Sequence, residues 1–404
     1  MNRLVTATAS GILLSTLFSC QHNKADERPN VILFLADDFG FGDLALHGNP
    51  YVKTPNLDSF AKEGIEFTHF YVAPASSPTR AGILTGRYYY RTKVLDVGDE
   101  VCKLSTEEVT IAEALRDGGY GTAMFGKWHL GENYPLRPSD QGFEEVIHHS
   151  FCQITNDYPV GNSYFNPWLF HNNSLKKFEG YCLDVYVDEM IKYIRSCITA
   201  HKPFFVYLPS TLAHIPLQVE EKYVEPYRKM GLVEKTAKLY GMVANIDYNF
   251  GRMLDSLKVL GIDQNTIVMF TSDNGPCGGS IDEGRYMAGL RGLKVMAYEN
   301  GIRVPCFMQW PAKWKGKKKI NDRAAYIDVF PTILDACGVK QPVGSVIDGV
   351  SLHPLLSGAL DTLASRNLYI QLEMPAEGLP TPYENMAVFS GNYKLDQAQG
   401  ATQL

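Results

Sequence analysis

The 404-residue chain is 45% hydrophobic and 20% charged, an ordinary globular composition. That length suits one large domain with a smaller companion, or two domains of more equal size. A net charge of -6 gives no electrostatic footprint for nucleic acid, so an anionic ligand would have to be met by local positive charge.

Residues 1–20 carry Arg3, the mostly apolar run SGILLSTLF, then Ser19 and Cys20. The run is too short to span a bilayer and reads as an export signal. Its ending, LFSC, resembles the bacterial lipoprotein signal in which the cysteine becomes the lipid-bearing first residue. Phe18 is an unusual occupant there, so a lipid anchor at Cys20 and free release both stay open. The expectation is an exported bacterial protein, periplasmic or membrane-anchored, and no later segment is long and apolar enough to cross a bilayer.

Four apolar runs follow one design: NVILFLADD (30–38), YGTAMFGKWH (120–129), PFFVYLPSTLAH (203–214) and NTIVMFTSDNG (265–275). Each is bounded by turn residues and ends in a polar cluster, as expected for strands of a parallel sheet buried on both faces. Amphipathic stretches between them (56–64, 110–119, 185–197 and 240–261) predict helices. Strands alternating with helices imply a doubly wound α/β sheet, whose ligand crevice lies beyond the carboxyl ends of the strands. Asp37, Asp38, Lys127, His129, His214, Asp273 and Asn274 all fall at such ends and form one candidate constellation.

A further helix is expected at 326–338, and QPVGSVIDGVSLHPLLSG after it reads as a boundary. The division predicted is a catalytic domain over 28–357 and a small subdomain over 358–404 with antiparallel strands, too short for a core of its own. The run KWKGKKK (313–319) reads as a solvated loop, with polyanion binding as the alternative. Seven cysteines beyond Cys20 form no CxxC pair, which argues against structural zinc. One or two disulfides are compatible with export; buried packing is the expected fate of most of the thiols.

Asp37, Asp38 and Asp273 would repel one another at a shared sheet edge unless a cation sat among them. Oxygen ligands, Asn274 included, favour calcium or magnesium over zinc; the alternative is that each acid caps the helix or turn after its strand. Lys127 and His129, two apart, would share a side of an extended segment, offering an anion contact and a proton-transfer group. His214 adds a second imidazole and Lys294 a further cation in a Gly-rich loop. In PASSPTR (74–80), Ser76 stands where a helix begins, with Pro78 in its first turn; the serine is suited to capping and the helix start to anions.

These residues resemble the formylglycine-dependent type I sulfatases of the alkaline phosphatase superfamily. The family signature is Cys or Ser, any residue, Pro, any residue, Arg, four residues and Thr-Gly, and Ser76, Pro78, Arg80, Thr85 and Gly86 fit every position. The likeness runs from NVILFLADDFGFGD through TPNLDSFAKEG, GKWHLG, TSDNGP, ENGIRVP and DVFPTILDACG to AVFSGNYKL. It implies an alkaline-phosphatase-like sandwich, with a large mostly parallel sheet flanked by helices.

The resemblance further implies that a radical-type maturing enzyme oxidises Ser76 to formylglycine, whose hydrate attacks sulfur; its remaining hydroxyl then expels sulfate. Asp37, Asp38, Asp273 and Asn274 match the Ca2+ ligands, the metal also touching the group at Ser76 and the sulfate oxygens. Asp273 helps deprotonate the attacking oxygen and Arg80 holds the formylglycine. Lys127 and Lys294 clamp sulfate, His214 is the general acid at the leaving oxygen, and His129 is the base that collapses the sulfated intermediate. The implied substrate is a sulfated carbohydrate, with galactose or N-acetylgalactosamine preferred. RYYYR (87–91) and NPYVK are candidate sugar-subsite segments, with core packing as the alternative. Relatives usually continue into a further segment and a terminal helix, whereas this chain ends LDQAQGATQL, so the small C-terminal subdomain is expected to be truncated. The rivals are a phosphate or phosphonate monoester hydrolase on the same fold, and a catalytically dead glycan-binding surface lipoprotein.

Overall fold

The computed structural model describes residues 28–98, 101–155, 159–278, 284–372, 385–398 and 401–403. The export signal and Cys20 lie outside these residues. In chain order the strands are β1 (Asn30–Ala36), β2 (Ile65–Phe67), β3 (Phe70–Tyr71), β4 (Gly121–Lys127), β5 (Glu145–His149), β6 (Trp168–His171), β7 (Ser174–Lys177) and β8 (Phe204–Pro209). They continue with β9 (Thr266–Ser272), β10 (Cys306–Gln309), β11 (Lys318–Ile320), β12 (Ala324–Ala325), β13 (Leu368–Gln371), β14 (Met386–Ser390), β15 (Tyr393–Ala398) and β16 (Ala401–Gln403).

Ten strands form the central sheet in the order β11-β2-β10-β9-β1-β8-β4-β5-β6-β7. The four apolar runs are its middle: β9, β1, β8 and β4 pair in parallel, with β5 parallel beyond β4. Alternate residues of β1 enter two different cores: Val31, Leu33 and Leu35 face one, Ile32, Phe34 and Ala36 the other. Both faces being covered explains why the run is apolar throughout rather than alternating. The wings depart from a pure crossover pattern, because β10 runs antiparallel to both β9 and β2, and β6 is antiparallel to both β5 and β7. These short pieces, one to two turns of side chain from a loop, carried too little periodicity to be read as strands.

The predicted helices appear at Pro55–Glu63 (α1), Ile111–Asp117, Cys182–Thr199 and Glu234–Val259. The 326–338 segment is a 3-10 turn, Tyr326–Asp328, running into the helix Val329–Ala336. The strands β13 to β16 form a separate antiparallel meander. Leu368, Ile370, Ala387 and Phe389 from it join the same buried cluster as Val31 and Leu33, so the meander shares the core on one face of the central sheet. RYYYR is part of that junction: Tyr89 is buried, Tyr88 stacks on Tyr90 and meets Tyr369 edge to face, and Arg91 pairs with Asp348. In KWKGKKK, Trp314 is buried, while Lys317 and Lys319 pair with Glu63 and Glu66. The seven described cysteines, five of them buried, form no disulfide with one another.

The segment after β3 enters α2 (Ser76–Thr85), every residue of which is buried. Close approach at Gly82 permits this: a Cβ there would sit 2.0 Å from Tyr326 Cε2 and 2.9 Å from the Arg87 carbonyl oxygen. On an exposed helix Gly→Ala would stabilise by about 0.5–1 kcal/mol; against Tyr326 the clash decides the sign. Gly82→Ala should therefore destabilise the fold by about 1–3 kcal/mol, read as a lower thermal midpoint. An unchanged or higher midpoint would show that this contact does not fix the helix.

Candidate functional site

The carboxyl ends of the parallel strands bring the predicted residues together. Asp37 and Asp38 follow β1, Lys127 ends β4, His214 lies past β8, and Asp273 and Asn274 follow β9. Asp37, Asp38, Ser76, Arg80, Lys127, Asp273 and Asn274 are fully buried and His129 nearly so. Lys294 and His214 keep 11% and 13% of their side chains exposed, which places the opening to solvent on their side.

Ser76 is the first residue of α2, with Ala75 as the cap. Its hydroxyl does not cap the helix, contrary to one expectation: Ser76 Oγ donates to Asp273 Oδ2 at 2.6 Å and accepts from Arg80 Nε at 2.8 Å. A residue in the first turn points its side chain outward from the helix start, and the carboxylate is there to receive it. Arg80, one turn on, also donates to the Lys127 carbonyl (2.9 Å), Asp37 Oδ2 (3.3 Å) and Asp273 Oδ2 (2.7 Å). Arg80 thus ties the helix to three strand ends.

Cations pair with carboxylates throughout. Lys127 Nζ lies 2.6 Å from Asp37 Oδ2, and Lys294 Nζ lies 2.7 Å from Asp38 Oδ1. Burial by itself would raise the Asp37 carboxyl, but Lys127, His214 and Arg80 hold it below its usual range. Asp38 is likewise held low against its burial, chiefly by Lys294 and His214. Lys294 is buried too, yet Asp38, Asp37 and Asp273 push its ammonium upward. Three carboxylates against Arg80, Lys127 and Lys294 sum to zero, so an added dication would leave the site positive toward an anion.

The capping alternative for the acids does not hold. Asp37 Oδ1, Asp38 Oδ2 and Asn274 Oδ1 are buried without a hydrogen-bond partner, a costly arrangement unless something coordinates them. One ligand atom each from Asp37, Asp38 and His214 lies within 4.8 Å of the others. Asn274 Nδ2 donates to Asp38 Oδ1 at 2.7 Å, and Asp273 Oδ1 accepts from the Asp38 amide at 3.2 Å. Orphaned hard oxygens on converging groups fit a calcium- or magnesium-like cation. His214 offers the one nitrogen; its Nδ1 faces the Ile215 carbonyl oxygen at 2.6 Å, leaving Nε2 3.8 Å from Asp38 Oδ2.

His129 is placed differently from the extended-strand expectation. The strand ends at Lys127, and His129 turns into a left-handed φ of 60°, so alternation is not what orients it. Its Nε2 meets the Val97 carbonyl oxygen at 3.1 Å and its Nδ1 is buried without a partner. Burial first, then Lys127 and Arg80, push the imidazole well below 6.5. The neutral ring therefore donates from Nε2 and presents a bare Nδ1, the form a base requires.

Several supporting residues carry no motif. Arg285 NH2 donates to the Asp38 carbonyl at 3.0 Å and pairs with Asp43, holding Asp38 at a φ of 55°. Asn385, just before β14, donates to the Val295 carbonyl (2.7 Å) and accepts from the Ala297 amide (2.9 Å). It pins the loop next to Lys294, where Val295 has a φ of 66°, unusual for a β-branched residue. A cavity of about 450 Å3 lined by His69, Arg323 and Arg366 lies instead by the C-terminal meander and contains none of the predicted residues.

The sulfatase family model matches residues 29–339, and a model described as N-sulphoglucosamine sulphohydrolase, C-terminal, matches residues 293–398. The N-acetylgalactosamine-6-sulfatase of Rattus norvegicus is 32% identical over 361 residues, covering 82% of this chain and 66% of that protein. The N-acetylgalactosamine-6-O-sulfatase of Bacteroides thetaiotaomicron is 30% identical over 396 residues, 80% of this chain and 75% of its own length. Among solved structures, Ps i-CgsB in complex with k-i-k-neocarrahexaose superposes with a TM-score of 0.80 at 25% identity, covering 92% of this chain and 84% of that one. The chain belongs to the sulfatase family, which places it among the sulfuric ester hydrolases. It spans about two thirds of the length of the Canis lupus familiaris and Rattus norvegicus relatives, at 67% and 66%.

Because the orphaned oxygens would be satisfied by a cation, adding Ca2+ to chelator-treated protein should raise its unfolding temperature saturably. A hundredfold excess over Kd corresponds to about 2.7 kcal/mol of stabilisation. Asn274→Ala should move that titration to higher Ca2+; a flat response to both Ca2+ and Mg2+ would show that these oxygens hold no metal.

Proposed function

We propose that the protein is an exported, calcium-dependent sulfatase that hydrolyses sulfate monoesters on a carbohydrate. The observation that carries this reading is Ser76 Oγ, fully buried and held between Asp273 and Arg80 beside three orphaned metal-suited oxygens. A plain serine hydroxyl so placed is a poor nucleophile without an adjacent base or a chemical change. The family resemblance supplies the change, oxidation of Ser76 to formylglycine by a radical-type maturing enzyme. Asp37, Asp38, Asp273 and Asn274 would hold Ca2+, which when bound supplies charge neutralisation at the sulfate and at the group derived from Ser76.

This chain's own residues do the remainder. Asp273 Oδ2 already accepts the hydroxyl proton of Ser76 at 2.6 Å and is placed to draw a proton from an attacking oxygen. Arg80 fixes residue 76 and offsets the negative charge of Asp37 and Asp273. Lys127, at the end of β4, and Lys294, on a loop, flank the cluster, where both ammonium groups can meet a sulfate oxygen. His214, at the exposed side with Nε2 toward the cluster, is the donor to the departing sugar oxygen, and His129 Nδ1 is the acceptor that lets the sulfate be released. A galacto-configured sugar, galactose or N-acetylgalactosamine, is the preferred unit, in line with the names of the relatives. Export and an anchor at Cys20 rest on the LFSC signal alone.

The test is release of sulfate against phosphate from matched aryl esters by protein from its native host, with mass spectrometry of the peptide carrying Ser76. Sulfate preference and loss of two hydrogens at Ser76 are expected; a clear phosphate preference, or active protein with unmodified serine, would sink the proposal. The proton-accepting role of His129 adds a pH expectation. Because its imidazole stays neutral well below 6.5, activity should hold its plateau as pH falls through 6.5 and decline only in more acidic solution. An acid limb centred above pH 6.5 would remove His129 from that role.

A further inference from the structure

Beside the site, at the carboxyl end of β5, lies a cavity of about 310 Å3 lined in part by Tyr134, Phe170, His148 and Asn173. That volume is at the lower end for small-molecule sites, about 300–1,000 Å3. Its wall adjoins, along the chain, the loop that carries His129. Glu132 on its wall is three residues beyond His129, and Ser150 adjoins Phe151, whose ring meets the His129 ring at 5.4 Å.

We propose that this cavity binds a further, uncharged sugar ring of an oligosaccharide whose sulfated unit lies at Ser76. The inference rests on the carbohydrate sulfatase reading and names an additional part of the substrate. Tyr134, on the cavity wall, is 76% exposed. The Arg137 guanidinium lies over its ring at 5.6 Å, and so large an exposure leaves a broad aromatic surface open. Phe170, also on the cavity wall, stacks with His148, ring centroids 5.5 Å apart. A pyranose presents C–H groups on its faces and hydroxyls around its rim, so it is matched by a lining that joins aromatic rings to planar polar groups, here Asn133 and Asn173.

Charge narrows the ligand. Arg137 is the cation of the cavity, and its guanidinium is already taken by both oxygens of Asp140, at 2.8 and 2.9 Å. His148 is neutral at ordinary pH, since burial pushes its imidazole to about 4. Place narrows it further: in the proposed reading the sulfate sits against Lys127 and Lys294, neither of which lines the cavity, and Lys127 ends β4, one strand spacing of about 5 Å from β5. The ring in the cavity is therefore a separate unit of the chain.

The experiment compares matured protein with Tyr134→Ala and Tyr134→Phe on an aryl sulfate, and on 6-sulfated N-acetylgalactosamine both alone and at the end of an oligosaccharide with uncharged neighbouring sugars. In Tyr134→Ala the oligosaccharide kcat/KM should drop about tenfold or more through KM, with aryl sulfate and monosaccharide rates unchanged. Tyr134→Phe should retain the oligosaccharide rate, because the ring face and not the hydroxyl is what binds. An equal drop on all substrates, or no drop on the oligosaccharide, or unmutated protein that gains nothing from the longer substrate, would overturn the assignment. Failure of the unmutated, matured protein to release sulfate from any of them would instead overturn the sulfatase reading.

Discussion

Six opposite charges are buried at one edge of the sheet, and their mutual compensation constrains everything around them. Two unit charges 4 Å apart attract by roughly 4 kcal/mol at an effective dielectric of 20, yet each costs several kcal/mol to desolvate. The cluster persists because every charge has a partner on another segment: Arg80 on a helix, Lys127 on β4, Lys294 on a loop, the carboxylates after β1 and β9. Removing a single member would leave its partner buried and uncompensated, a loss of about 3–5 kcal/mol. Geometry and charge are therefore specified together, and the site cannot be loosened at one residue without disturbing the fold.

That constraint accounts for backbone features that would otherwise be unexplained. Asp38 and His129 both hold left-handed φ values, which most residues avoid at a cost of about 1–3 kcal/mol. Arg285 bonded to the Asp38 carbonyl, and Val97 bonded to the His129 ring, hold these conformations in place. The Lys294 loop is fastened from the far end of the chain by Asn385, so the meander that looks peripheral contributes to the position of the Lys294 ammonium beside Asp38.

The middle of the sheet was legible because both of its faces are covered: β1, β4, β8 and β9 announce themselves as unbroken apolar runs, each ending in polar residues. The spacing of Ser76, Pro78 and Arg80 singled out the serine, and its helix start was visible from the proline. What the sequence concealed was the use of that position, since a serine at a helix start is ordinarily a cap and here its hydroxyl turns to Asp273. The wing strands β2, β6, β7 and β11 were also hidden, being three or four residues each and stabilised by neighbours distant in sequence. Asn385 and Arg285 could not be found at all, because their importance depends on contacts 90 and 247 residues away. For the tyrosines of RYYYR the packing alternative describes Tyr89, which is buried, and the Tyr88–Tyr90 stack.

Complete burial of Ser76 also sets an order of events. No modifying enzyme can reach a side chain enclosed by a helix, three strand ends and a network of ion pairs, so any oxidation of that residue has to precede the closing of the fold around it. If Ser76 is converted as proposed, synthesis becomes a race between two clocks, chain collapse and side-chain conversion. Under the proposed oxidation of Ser76, a molecule that folded first would be trapped: well packed, fully charged at its centre, and with no route back to activity short of unfolding.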